Sequence, residues 1–240
     1  MRKNIALVIV LLGLSLLSSC TLSGAAEAPE HTKLPTEIKR PDKGAETPKI
    51  IAFGDSLTAG FGLSEKESYP YLLQQMLEKD GFRYEVVNAG VSGDTTLAGL
   101  ERVDWVLGQD NVKVMILELG ANDLMRGVPV ETIRENLDKI ITKAKAKNVE
   151  VLFCGMLAPQ NVSPKYQKAF VYMFPALATK HDVRFLPFLL EGVALEKELN
   201  QADGIHPNAK GAKIMTDNVY KELKPMLEAR RDSAKKKESL

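Results

Sequence analysis

Histidine is scarce in this chain, with three in 240 residues: His31, His181 and His206. Any chemistry that needs an imidazole must draw on one of those positions. Cysteine is scarcer still, with only Cys20 and Cys154. They allow at most one disulfide, and only if both survive processing and meet. Aromatic residues make up 6%, too few for a base-stacking surface of the kind that grips single strands. An excess of either charge is also missing. The 32 basic and 31 acidic side chains nearly cancel, which removes the electrostatic pull toward nucleic acid or acidic polymers. What the chain does have is 45% hydrophobic residues, enough for the core of one domain with room for ends outside it.

The N-terminus is one such end. A basic start, Arg2-Lys3, precedes an almost wholly apolar run from Ile5 to Leu17. This is short of the about 20 residues a membrane span needs and reads as a secretory signal. It closes on Leu17-Ser18-Ser19-Cys20, which resembles a bacterial lipobox. The resemblance implies cleavage after residue 19 and diacylation of Cys20. The alternative is an ordinary signal peptide in which Cys20 is incidental. Cleavage there removes two bases and no acid, turning a formal charge of +1 into −1, so acyl chains rather than a basic patch would hold the protein at a membrane. Thr21 after the cysteine resembles outer-membrane sorting where a cell has two membranes. The expected location is outside the cytoplasm. Residues 20–47 are rich in Ala, Glu, Pro, Thr and Lys without apolar periodicity, as in a tether, and His31 falls there.

Residues 48–228 are periodic. Apolar runs at 49–53, 84–88, 113–119, 149–154 and 183–186 predict five strands. Helical spacing at 70–79, 95–107, 130–147 and 165–180 predicts the helices between them, and Asn208 is placed to cap a last helix. Such alternation predicts a parallel sheet covered on both faces. The highly charged stretch 229–240 reads as a frayed tail.

Ligands of open parallel sheets bind beyond the carboxyl ends of the strands, and three polar clusters follow predicted strands. The first is Gly54-Asp55-Ser56-Leu57. A serine hydroxyl there can project into the cleft but is a weak nucleophile without a base. His31 lies in the tether, and His181, in Thr179-Lys180-His181-Asp182, reads as a surface residue. His206 remains, in Asp203-Gly204-Ile205-His206. An aspartate three residues before a histidine, with glycine between, can fold back onto the ring and fix its tautomer. The same string also suits a plain loop turn. The second cluster, residues 88–95, has two glycines that let a backbone N–H face a ligand, or it is simply a strand-to-helix loop capped by Asp94 or Thr95. The third is Gly120-Ala121-Asn122-Asp123, in which Asn122 is either an amide donor or a turn residue. The Gly-x-Ser-x-Gly elbow is absent, since residues 90–94 lack its final glycine.

Taken in order, these blocks resemble the SGNH, or GDSL, hydrolases over about residues 49–225, with Ser56, Gly93, Asn122 and His206 at the defining positions. The resemblance implies a flavodoxin-like three-layer α/β/α sandwich with a mostly parallel five-stranded sheet. It implies a triad of Ser56, Asp203 and His206, an oxyanion hole of the Ser56 and Gly93 N–H groups and the Asn122 amide, and neither metal nor cofactor. Ser92-Gly93-Asp94-Thr95-Thr96 and Glu118 to Asp123, followed by Arg126-Gly127, are similar to the arylesterase, thioesterase and lysophospholipase branch. That implies short to medium acyl esters, with thioesters and lysophospholipids among them. Leu124, Met125 and Val128 either line an acyl groove or pack a loop. The competing readings are an O-acetyl esterase on cell-wall or other polysaccharide and, from another class, a non-catalytic lipoprotein that binds glycan or a partner. The expected partners are a small acyl ester and, through Cys20, a membrane, with no nucleic acid. A monomer is expected. Cys154, in a predicted buried strand, reads as a buried free thiol.

Overall fold

The computed structural model describes residues 47–238. The signal segment, Cys20, His31 and nearly all of the tether lie outside the described residues. The sheet has five parallel strands in the order β2-β1-β3-β4-β5: β1 Lys49–Gly54, β2 Glu85–Gly90, β3 Val112–Glu118, β4 Glu150–Cys154 and β5 Arg184–Leu186. The three central strands are apolar because both their faces are covered, and Ile50, Ile51, Phe53, Ile116, Leu117, Leu152 and Phe153 are wholly buried. Each such side chain contributes about 1.5–3 kcal/mol when removed from water. The edge strands β2 and β5 are only partly buried.

Crossover connections between the parallel strands carry the helices. Helix α2 (Tyr69–Lys79) joins β1 to β2 and packs against α7 (Ala209–Glu238), while α3 (Thr96–Val106), α5 (Val130–Ala146) and α6 (Pro164–His181) form the second layer. The direction of winding reverses between β1 and β3, so a crevice opens at their carboxyl ends. The strands and long helices fall where the periodicity predicts. Two short helices, α1 (Ser56–Ala59) and α4 (Ala121–Met125), follow β1 and β3 and were not predicted. Four or five residues are too few to display a helical period.

Two expectations are corrected. The stretch after residue 228 is helical through Glu238, because Arg230 bonds Glu150 and Arg231 lies over the Phe82 ring. His181 is not a free surface residue, since its Nε2 meets the Asp138 carboxylate across the α5–α6 contact. Asn208 does cap α7, accepting from the N–H groups of Lys210 and Gly211 at 2.9 and 3.2 Å. Cys154 is buried and free, and burial pushes its thiol pKa up.

Candidate active site

Strand β1 ends at Gly54, and Asp55 caps the four-residue helix α1, its Oδ1 accepting from Leu57 N at 3.1 Å. Ser56 is therefore the first helical residue, and its N–H has no carbonyl within the helix to meet. Its Oγ lies 2.8 Å from His206 Nε2. His206 Nδ1 lies 2.7 Å from Asp203 Oδ2. Asp203 Oδ1 accepts from the backbone of Ile205 and His206 at 3.0 and 3.1 Å, and Gly204 turns at φ +75°. The two readings of this string thus coincide, because the loop turn is what brings the carboxylate to the ring. These bonds, that from His206 foremost, hold the Asp203 carboxyl down at about pKa 2. Such an ionised acid fixes one imidazole tautomer and leaves the other nitrogen to accept the serine proton. The Phe61 ring lies 4.7 Å from the His206 ring, centroid to centroid.

The second and third loops converge on the same edge. Gly93 has φ +86°, a conformation side chains resist, although a Cβ would meet only Arg126 Nη2 at 3.8 Å. Arg126 donates to the Gly93 carbonyl at 2.9 Å. Asp94 pairs with Arg102, which also donates to the Gly54 carbonyl at 3.0 Å and lies over Phe53. Thr95 caps α3 through Ala98 N. Asp123 accepts from Thr96 N and Thr96 Oγ1 at 2.8 and 2.6 Å, tying the third loop to the second. Sequence reasoning missed Arg102 and the Asp123–Thr96 tie, since each joins residues far apart in the chain.

Asn122 Nδ2 donates to Asp55 Oδ2 at 3.0 Å. An amide has two hydrogens, so the second remains for a ligand. Asp55 is 1% exposed, and burial raises its pKa to about 6 against the pull of Leu57 N and Asn122. Of the two readings left open for Leu124, its burial in the hydrophobic core favours packing over lining an acyl groove. Helix α4 turns Leu124 inward and leaves Met125 62% exposed. Val128 packs partly against the core. Among the described residues no cluster of three His, Cys, Asp or Glu side chains could hold a metal ion.

Comparison with known proteins identifies the family. Residues 52–214 match the model of the GDSL-like lipase/acylhydrolase family. Esterase TesA of Pseudomonas aeruginosa is 37% identical over 178 residues, covering 74% of this chain and 89% of that one. Thioesterase 1/protease 1/lysophospholipase L1 of Escherichia coli K12 is 35% identical over 185 residues, covering 77% and 88%. Among solved structures, AlinE4, an SGNH-hydrolase family esterase, is 42% identical with a TM-score of 0.64, covering 77% of this chain and 98% of that one. The chain belongs to the GDSL-like, or SGNH, lipase/acylhydrolase family and is a carboxylic ester hydrolase.

Proposed function

We propose that the enzyme cleaves short to medium acyl esters through an acyl-serine intermediate on Ser56, and that lysophospholipids or thioesters fall within its range. The observation that carries the mechanism is the unbroken chain Ser56 Oγ–His206–Asp203, at 2.8 and 2.7 Å. His206 takes the proton of Ser56 as Oγ bonds to the substrate carbonyl carbon. The carbonyl oxygen becomes an oxyanion and accepts from the Ser56 and Gly93 N–H groups and the free hydrogen of Asn122. Donors aimed at that oxygen act where charge develops. His206 then gives its proton to the departing alcohol or thiol. Water enters, loses a proton to His206 and releases the acid. Asp203 stays ionised and steadies the imidazolium.

The ester, thioester and lysophospholipid classes are supported by the names of the relatives, and an acyl chain by apolar groups beside the catalytic edge. Phe61, Val91, Met125 and Ile205 are all exposed. We place the enzyme outside the cytoplasm on a lipidated Cys20, a reading supported by the Ile5–Leu17 run and the string Leu17 to Cys20. There it meets lysophospholipids and external esters rather than cytosolic acyl-CoA. The deciding experiment is a panel of p-nitrophenyl esters from acetate to long acyl chains, with lysophospholipid and acyl thioester beside it. Activity confined to acetate would replace this reading with the O-acetyl esterase one. Absence of labelling by a fluorophosphonate would remove the acyl-serine. Incorporation of labelled palmitate, lost in Cys20→Ala, tests the anchor.

A further inference from the structure

Glu118 takes no part in that mechanism, yet it lies directly behind it. It is the last residue of β3, in register with Gly54 of β1, and is fully buried. Its Oε2 accepts from Thr58 Oγ1 at 2.8 Å and from Asp55 N at 3.2 Å. Its Oε1 is buried and, among the described residues, accepts no hydrogen bond. Gly54 is a glycine partly for this carboxyl's sake, since a Cβ there would lie 2.4 Å from Glu118 Oε2. A buried carboxylate with one bare oxygen is expensive, whereas a carboxylic acid with a hydrogen-bond acceptor is not. The acceptor is at hand, because the Asp55 carboxyl belongs to the residue whose own N–H already meets Glu118 Oε2 at 3.2 Å.

We infer that Glu118 is a positioning residue for the oxyanion hole: it holds a proton, donates it to the Asp55 carboxylate, and so fixes the acceptor that orients the Asn122 amide. Three arguments converge. Two adjacent carboxyls shut away from water cannot both ionise, so one proton stays between them. Asp55 accepts from Leu57 N and Asn122 Nδ2 on its two separate oxygens, and this makes it the better anion. Glu118 has Tyr69 and Cys154 as its other titratable neighbours, both uncharged at neutral pH, and the pKa of its own carboxyl is pushed well up, by burial first and by the Asp55 charge second. Arg102 is engaged by Asp94 and the Gly54 carbonyl. The consequence is mechanical. Asp55 takes one Asn122 hydrogen, and the other keeps its direction toward the substrate oxygen. A second carboxylate charge is kept from the place where the oxyanion must form.

This inference rests on Asn122 being an oxyanion donor, and the test separates the two. Kinetics are measured on N122A, E118Q, E118L and the double variant E118L/N122A. Glutamine keeps a neutral donor of the same shape, so E118Q should stay within about threefold of wild type in kcat. E118L removes the donor and should lower kcat roughly tenfold to a hundredfold, with KM little changed. That loss is bounded by what deletion of an oxyanion donor itself costs. On the N122A background the same change should cost almost nothing, because Glu118 acts through that amide. Equal, additive losses on both backgrounds would make Glu118 merely structural and overturn the inference. An E118Q as impaired as E118L would show that an ionised glutamate is required and also overturn it. An N122A enzyme of nearly full activity would overturn the oxyanion reading itself, and this inference with it. If E118L does not fold, infrared difference spectra of wild type against E118Q at neutral pH still decide. A protonated carboxylic acid band lost in E118Q supports the assignment, and a carboxylate band lost in its place refutes it.

Discussion

Two aspartates flank the same serine and live in opposite worlds. Asp203 is 37% exposed at the side chain, sits on a loop after a tight turn, and is held near pKa 2 by the ring it serves and by two backbone N–H groups. Asp55 is sealed beneath the helix it caps, faces another carboxyl, and is raised to about 6 by burial. One carboxylate is kept charged in the open, and the other is kept still in the dark. The difference shows how one sheet edge divides the work. In the proposed mechanism the wet side moves protons between Ser56 and His206, and the dry side aims a hydrogen bond through Asn122.

The wet side should break first and hardest. Ser56→Ala should abolish ester hydrolysis and fluorophosphonate labelling while leaving the thermal midpoint within a few degrees, since Ser56 is not part of the core. His206→Ala should cost on the order of 10⁶ in kcat and Asp203→Ala on the order of 10⁴, because imidazole without its orienting acid keeps some basicity. Equal losses for the two would mean that the Asp203 bond does more than orient. Next comes Asn122→Ala, with a kcat loss of about 10²–10³ and little change in KM, measured on p-nitrophenyl esters. If its loss were mainly in KM, the dry side would be holding substrate rather than the oxyanion.

The two sides also differ in how far they could be read from the chain. Ser56, Asp203 and His206 were legible because scarcity narrowed the base to His206 and because the aspartate three residues away forms its turn locally. The central strands were legible because burial on both faces writes an uninterrupted apolar run. Glu118 was not legible as a buried acid. A charged residue at the end of a strand normally marks the return to solvent, and only its burial against Asp55 N and Thr58 Oγ1 shows that it turns inward. Long-range partners hid other residues in the same way. His181 looks exposed until Asp138, 43 positions earlier, comes to meet it, and the charged stretch after residue 228 looks frayed until Glu150 and Phe82 come under it. Leu124 stayed open between groove and packing because a short helix has no visible period to say which way a side chain faces.

The smallest predicted effect bears on stability and separates the two aspartates by sign. Asp55 binds its proton more tightly in the fold than in the unfolded chain, where its value is 3.8. Between about pH 4 and pH 6 the native state therefore holds the extra proton, and the Asp55 contribution should decline as pH rises through that window and then level. Glu118, also raised, adds a decline of the same sign from its unfolded value of 4.5 upward. Asp203 runs the other way: its folded value is depressed, so it supports the fold above its unfolded value of 3.8 and loses that support as pH falls toward 2. Exposure shrinks the second contribution through solvent screening. Urea unfolding across pH 3–8 should show a downward slope between pH 4 and 6 in wild type that becomes shallower in Asp55→Asn, where Glu118 still contributes, and persists in Asp203→Asn. Asp55→Asn should at the same time lower kcat, because an amide facing Asn122 can be turned either way and the oxyanion donor loses its aim. A slope left unchanged by Asp55→Asn would take Asp55 out of this linkage and dissolve the contrast between the two acids.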